Sequence, residues 1–144
     1  MTRFLILMVL ALALTSTFAD AGSQRIHVTA RVVEGTFTGD LAHPKLGDQS
    51  TTSVELFDDS GTKVGTGVGV CTVVSTAELL QQCLNTARFA EGHILFGGVA
   101  ILPEPGAVAQ FGVLGGTEEF RRAHGQALLI ITDTGDIDTT LDLE

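Results

Sequence analysis

The sequence predicts one all-β domain whose strands form a barrel or a sandwich with antiparallel neighbours. Seven or eight short apolar segments follow one another closely, and clusters of turn residues rather than helical segments separate them. Sustained helical periodicity is almost absent. After the N-terminal segment, about 120 residues remain, which is enough for one hydrophobic core and too few for two.

Residues 1–21 are predicted to be a signal peptide that does not belong to the fold. Arg3 supplies a positive charge, residues 4–14 are an unbroken apolar run, and small residues at Ala19 and Ala21 suit a signal peptidase. The apolar run is too short to span a bilayer, although an uncleaved membrane anchor is the alternative. We therefore expect a secreted, extracellular protein whose mature domain is residues 22–144 and has no membrane attachment after cleavage.

The predicted strands can be placed one after another along the mature chain. The first is half-buried, because Ile26, Val28, Ala30 and Val32 alternate with mostly polar residues. Residues 35–51 contain Pro44 and three glycines without a sustained period, which predicts a long loop. In chain order, the eight predicted strands lie at 26–33, 54–57, 63–75, 79–89, 93–102, 108–114, 125–132 and 137–143.

The two cysteines, Cys71 and Cys83, are predicted to form a disulfide between adjacent strands. A hairpin centred near Ala77 pairs residues whose numbers add up to 154, as those of Cys71 and Cys83 do. Their Cβ atoms would then lie close enough for a disulfide bond. Two separate buried thiols are the alternative, and export favours the disulfide.

Composition argues against several classes of function. The chain carries a net charge of -9 with only 8 Lys and Arg, so it would repel nucleic-acid backbones. It has no Trp or Tyr for stacking on sugars or bases. We expect no metal site, because the histidines do not have the spacing of metal ligands. The sequence also has no motif for a catalytic nucleophile or a phosphate-binding loop, which argues against enzymes with such machinery. The histidines are His27, His43, His93 and His124.

One segment resembles the signature of the allene oxide cyclase and dirigent barrels. Residues 111–120 read FGVLGGTEEF and residues 123–127 read AHGQA, which is similar to the family motif in Gly115, Gly116, Thr117, Phe120 and Gly125. Upstream, residues 64–67 (VGTG) and 89–94 (FAEGHI) have the order and spacing seen in these families. Glu118 departs from the motif, which has glycine there, so the turn is either remodelled or strained.

The resemblance implies a single antiparallel eight-stranded β-barrel, calycin-like, around a mostly apolar cavity. Plant cyclases of this kind use a buried Glu on the first strand and are commonly trimers, which implies a homo-oligomer here. In the families that this segment resembles, dirigent proteins steer the coupling of phenolic radicals and related bacterial barrels close polyketide rings. No cofactor is implied.

Glu34 is the candidate catalytic residue. It has the same strand parity as Ile26 and Val28, so on a straight strand its carboxylate points to the apolar side. A carboxylate in an apolar cavity has a raised pKa and can act as an acid or base. The alternative is a solvated Glu34 at the rim, where the strand ends at Gly35.

Four residues are candidates for the cavity wall. Val32 shares the parity of Glu34, and Cys71 takes the place of a cyclase cavity cysteine by resemblance. Gln81 and Asn85 lie on the same strand face as the two cysteines. The opposite face of these strands is more apolar. It is therefore either the core, which leaves the amides solvated, or a subunit interface.

Three functions remain open at this point. The barrel binds or guides a small apolar ligand outside the cell, like a dirigent protein. Alternatively, it is a cofactor-independent cyclase or isomerase for an oxylipin- or polyketide-like substrate, with Glu34 as acid or base. In a third reading, side chains fill the barrel and the protein is a secreted structural or interaction protein. Fold alone does not decide among them.

Overall fold

The computed structural model describes residues 22–144, which form a closed barrel of eight antiparallel strands. The all-β fold and the barrel are thereby confirmed, whereas the predicted signal peptide lies outside the described residues. The strands are β1 (Gln24–Phe37), β2 (Gln49–Phe57), β3 (Lys63–Ser75), β4 (Leu80–Phe89), β5 (Gly92–Ile101), β6 (Val108–Gly116), β7 (Gly125–Ile131) and β8 (Ile137–Leu143). Among residues 22–144, no helix is long and apolar enough to cross a membrane.

Each strand pairs with its neighbours in the chain, and β1 closes the barrel by pairing with β8. Alternate residues therefore point inward, and the inward residues of paired strands face one another. Ile94, Ala127 and Leu141 are 0% exposed at the centre of this core. Other buried members are Val28, Leu56, Phe96, Phe111, Val113, Phe120 and Leu143.

The predicted loop over residues 35–51 is wrong at both of its ends. β1 continues to Phe37 and β2 already begins at Gln49, so the connection between them is residues 38–48. The arms of this hairpin are polar and show no alternation, yet Thr36 pairs with Thr51 and their hydroxyls hydrogen-bond at 2.5 Å. Cross-strand pairing between β-branched residues overrides the weak local signal.

The family motif closes one end of the barrel. Phe120 lies at the end of a short 3-10 helix, Glu118–Phe120, is 7% exposed and packs on Phe89 with ring centroids 6.0 Å apart. A Cβ on Gly116 would lie 2.5 Å from the carbonyl oxygens of both His93 and Phe120, so only glycine fits there. The motif thus has a structural role: it seals what we call the closed end.

The turn at the motif is strained where the sequence departs from glycine. Glu118 has φ +53°, in the left-handed region that disfavours residues with a Cβ. Thr117 fixes this turn, because its N–H donates to the His93 carbonyl at 2.9 Å and its hydroxyl accepts from the His93 N–H at 3.0 Å. Of the two alternatives for this turn, strain at Glu118 is therefore the one that the structure shows.

Candidate functional site

The half of the barrel away from the closed end contains a cavity of about 180 Å³. We call this half the open end; it carries the connections 38–48, 76–79, 102–107 and 132–136. Core residues such as Ile94, Phe120 and Leu143 do not line the cavity, whereas Val28, Phe96 and Phe111 form its floor. The interior of the described barrel is thus not filled by side chains.

The wall of the cavity is apolar apart from a few uncharged groups. Within residues 22–144, the wall contains no Asp, Glu, Lys, Arg or His. The polar wall residues are Ser50, Thr52, Gln81, Asn85, Thr86 and Thr139. An apolar cavity with a small number of placed polar groups is typical of a site for a small uncharged molecule.

The structure places Cys71, Gln81 and Asn85 on the cavity wall, as the sequence predicts. Cys71 and Cys83 face one another across β3 and β4 and are joined by a disulfide, which confirms the predicted pairing. The bonded cysteines belong to the wall and offer no thiol. The interior face of β3 and β4 is therefore the one that carries the amides and the disulfide.

The predicted position of Glu34 inside the barrel is wrong. The pairing of β1 with β2 shifts between Val32 and Glu34, where Val33 is an extra, bulged residue. The bulge reverses the alternation, so Glu34 pairs with outward-facing Ser53 rather than with an inward-facing residue. Glu34 is exposed and lies outside the cavity wall.

The same bulge removes Val32 from the cavity. Val32 pairs with Val54, and Val54 lines the cavity. Val32 itself is 43% exposed and is not a wall residue. A bulge bends the strand that carries it, and Val32 is the last residue before that bend. The prediction that Val32 lines the cavity is therefore wrong.

Asn85 contains the buried polar atom that most clearly lacks a partner. Its Nδ2 is buried, and within residues 22–144 it has no hydrogen-bond partner. Asn85 pairs with Gly69, whose missing side chain leaves room for the amide, because a Cβ there would collide with Asn85 Oδ1. By contrast, Gln81 Nε2 donates to the Ile101 carbonyl at 3.4 Å. Asn85 thus brings a buried, unpartnered donor to the cavity wall.

Several wall residues were not predicted from sequence. Ala100, Ala109, Leu129 and Thr139 enter the wall from β5 to β8. Each of these residues follows the inward–outward alternation of its strand, so the period-two pattern of the sequence could have identified it. The pattern of a single strand does not show which of its two faces is interior, because that depends on how all eight strands close into the barrel.

A titratable cluster lies on the outer surface, away from the cavity. Nδ1 of His27 is 2.5 Å from Asp59, and its Nε2 is 2.5 Å from Asp138. The hydrogen bond with Asp59, followed by that with Asp138, raises the pKa of His27 above its usual value. In the part of the chain that the structure describes, no group of His, Cys, Asp and Glu suits a metal ion. The expected absence of a metal stays a prediction.

The outer faces of the two sides of the barrel differ in chemistry. The β8–β1–β2 side, together with the first residue of β3, carries ion pairs, including Arg25 with Asp142 at 2.5 Å and Lys63 with Glu55 at 2.6 Å. The β3–β7 side exposes large apolar side chains. This surface, called the apolar outer face, consists of Val68, Val70, Val74, Leu84, Val99, Leu114, Leu128 and Ile130.

Comparison with known proteins agrees with this architecture. Pyocyanin demethylase is 22% identical with a TM-score of 0.72, and the match covers 84% of this chain and 100% of that one. AbnU, an exo-specific intermolecular Diels–Alderase, is 15% identical with a TM-score of 0.71, covering 84% and 97%. The Diels–Alderase AbmU from Streptomyces koyangensis is 20% identical with a TM-score of 0.70, covering 85% and 63%.

At these identities, the structural likeness establishes the fold alone. No curated protein sequence matches the chain. Residues 19–136 match the family described as the allene oxide cyclase barrel like domain. Since this match spans most of the sequence, the chain belongs to that family.

Proposed function

We propose that the barrel binds one small, uncharged and largely apolar molecule that carries a hydrogen-bond acceptor, and that it guides this molecule in the manner of a dirigent protein. The observation that supports this is an apolar cavity without an ionisable wall residue, next to the partnerless Nδ2 of Asn85. A buried N–H without a partner costs about 1–3 kcal/mol. A bound acceptor would remove that cost.

Asn85 can present its donor to a ligand without moving the backbone. The terminal torsion of an Asn side chain is broad, so the amide can rotate until its N–H groups point into the cavity. Gly69 opposite provides the room for this rotation. A carbonyl, ether or quinone oxygen is the matching acceptor.

The size of the cavity limits the ligand. A cavity of about 150 Å³ lined by apolar side chains holds a benzene molecule. The present cavity of about 180 Å³ therefore accommodates a ring-sized group. A larger molecule would extend from it through the open end.

A second candidate function is a ring closure that needs no proton transfer. The cavity wall offers no acid or base, so such a reaction would depend on holding the substrate in one conformation. A donor at Asn85 would also polarise a substrate carbonyl as charge develops on its oxygen. Two structures of similar fold are named Diels–Alderases, which is consistent with this candidate.

Export of the protein is also part of the proposal. The apolar run at residues 4–14 supports a signal peptide, and the Cys71–Cys83 disulfide suits an oxidising compartment. Intact mass of the protein from the culture medium of its source should correspond to a chain that begins at Gly22. A chain found only inside the cell would contradict export.

We further propose that copies of the chain associate through the apolar outer face. Contiguous exposed apolar side chains mark interaction surfaces, and on this chain they lie opposite the charged side of the barrel. Sedimentation velocity should show an oligomer that Leu84→Glu converts to monomer. A monomeric wild-type protein would contradict this proposal.

The binding proposal is tested with prodan, an uncharged naphthalene that carries a ketone and fluoresces strongly in apolar sites. The chain has no Trp or Tyr, so its own emission does not interfere. Ala87→Phe adds a ring at a buried wall position and should weaken prodan binding at least about tenfold. Ala90→Phe, in the exposed turn three residues on, is the matched control.

The outcomes of this test separate the candidates. Equal prodan affinity in Ala87→Phe and wild type, with both folded by circular dichroism, would contradict binding in the cavity. Conversion of a bound polyene ketone to a cyclic isomer by the wild type, and not by Ala87→Phe, would favour the cyclase. Binding without conversion favours the guiding role.

A further inference from the structure

The pairing between β5 and β6 stops before either strand ends. Their last partners towards the open end are Gly97 and Gly112, although β5 continues to Ile101 and β6 begins at Val108. On their other sides these segments stay paired, since β4 pairs with β5 as far as Ile101 and β7 pairs with β6 from Val108. The two strands therefore lie side by side without ladder pairing at the open end, and we call this unpaired stretch the β5–β6 gap (residues 98–101 and 108–111).

Two features of the chain account for the gap. Leu114 is an extra residue in β6, because Leu95 pairs with Gly115 while Phe96 pairs with Val113, and such a bulge bends and twists its strand. The connection 102–107 is then held from both sides. Leu102 N–H donates to the Leu79 carbonyl at 2.8 Å, and Gly106 N–H donates to the Ile131 carbonyl at 2.8 Å. These bonds hold the ends of β5 and β6 to the strands on either side of the gap.

Both edges of the gap form part of the cavity wall. Ala100 and Ile101 contribute from β5, and Val108 and Ala109 from β6. Of the connections at the open end, only residues 102–107 reach the wall, through Pro103 and Ala107. On this side of the barrel the cavity is thus bounded by unpaired strand ends and the connection between them.

The rim of the gap is apolar and, in a single copy of the chain, exposed to solvent. Ile101 and Val108 are each 60% exposed, and Val99 is 50% exposed. The inner limit is the ring pair Phe96–Phe111, whose centroids are 6.3 Å apart. Gly98 lies against Phe111, because a Cβ there would be 3.3 Å from the Phe111 ring. An apolar molecule would meet apolar groups from the rim to the floor.

We propose that the ligand enters and leaves the barrel sideways, through the β5–β6 gap. The proposal rests on the cavity being the ligand site. It assigns a function to the unpaired strand segments: they separate to admit the ligand and so set the rates of its exchange. Equilibrium affinity, in contrast, is set by the cavity wall deeper inside.

The test closes the gap from outside without filling the cavity. Val99 and Gln110 face outward on opposite edges, at positions that continue the Gly97–Gly112 register. Val99→Cys/Gln110→Cys is joined by a short bismaleimide while the native disulfide stays intact. The control, Gln110→Cys/Leu128→Cys, carries the same linker across β6 and β7, where Gln110 and Leu128 are paired.

Stopped-flow prodan fluorescence measures both rates. Linking Val99→Cys/Gln110→Cys should slow association and dissociation by at least about tenfold and change Kd by less than about twofold, because access is restricted while the site is unchanged. The control should exchange prodan at the wild-type rates. Unchanged rates in the linked gap variant, with prodan still bound, would overturn the entrance and leave the cavity site in place. Absence of prodan binding in the wild-type protein would overturn both.

Discussion

Replacing Asn85 by leucine is expected to make the empty protein more stable and to weaken its ligand binding. The change removes an Nδ2 that is buried without a partner, which relieves a penalty of about 1–3 kcal/mol. The leucine has space, because it faces Gly69 and the cavity. Allowing for imperfect packing of the new side chain, we expect a gain of about 1–2 kcal/mol in the free energy of unfolding.

Binding of prodan should change in the opposite direction. The variant lacks the donor for the prodan ketone, and giving a partner to this buried donor is worth about 1–3 kcal/mol, so Kd should rise by at least about fivefold. An analogue without the ketone, 2-dimethylaminonaphthalene, should bind the variant as tightly as the wild type. Comparing both proteins with both ligands isolates the free energy of the hydrogen bond between Asn85 and the ketone.

Urea unfolding and fluorescence titration measure the two effects. Gln82→Leu is the matched control, since Gln82 is an exposed amide on the same strand and faces away from the cavity. It should leave prodan affinity unchanged. A less stable Asn85→Leu protein would contradict this prediction, because it would mean that the amide already has a hydrogen-bond partner in the native state.

Three predictions concern the rest of the barrel. Glu118→Gly should raise the urea midpoint by an amount equivalent to about 0.5–1 kcal/mol, since it relieves φ +53° on a residue with a Cβ, and a lower midpoint would contradict this. Cys71→Ala/Cys83→Ala should lower the free energy of unfolding by about 3 kcal/mol, as expected for a bridge between residues 12 apart. An unchanged midpoint would show that the bridge does not constrain the unfolded chain. The pKa of His27 is raised in the folded protein, so its ion pairs stabilise the fold fully at a pH below the pKa of the unfolded chain, about 6.5. This stabilisation is lost as the pH rises through the pKa of the folded protein. His27→Gln should remove this pH-dependent loss of stability, which is below about 1 kcal/mol because the ion pairs are partly exposed. If the wild type and the variant differed in free energy of unfolding by the same amount at every pH, His27 would not be the titrating group.

Local patterns were sufficient for most of the fold. Alternation in β1 up to Val32 predicted its inward face, and turn clusters located most of the strand ends. The register of β3 and β4 followed from the hairpin centre, so the pairing of Cys71 with Cys83 was predictable from the spacing of the two residues. The placement of Gln81 and Asn85 on one wall followed from the same register.

Other features depended on the closed barrel. The bulge at Val33 carries no sequence signal, since Val32 and Val33 are both good strand residues, yet it moves Glu34 to the outside. The polar arms of the β1–β2 hairpin, at Thr36 and Thr51, similarly gave no alternation to read. Which face of β3 and β4 is interior was undecidable from apolarity, because the outward face is the more apolar one. Closure places the disulfide and amides inside.

Native mass spectrometry of the mature protein, recovered from the culture medium of its source, shows whether the cavity holds a small uncharged molecule. We expect a reproducible added mass that is released on denaturation, that corresponds to a neutral compound of ring size or slightly larger, and that is lost in Ala87→Phe. A bare protein, even after incubation with apolar extracts of the culture, would mean that the cavity is not a ligand site.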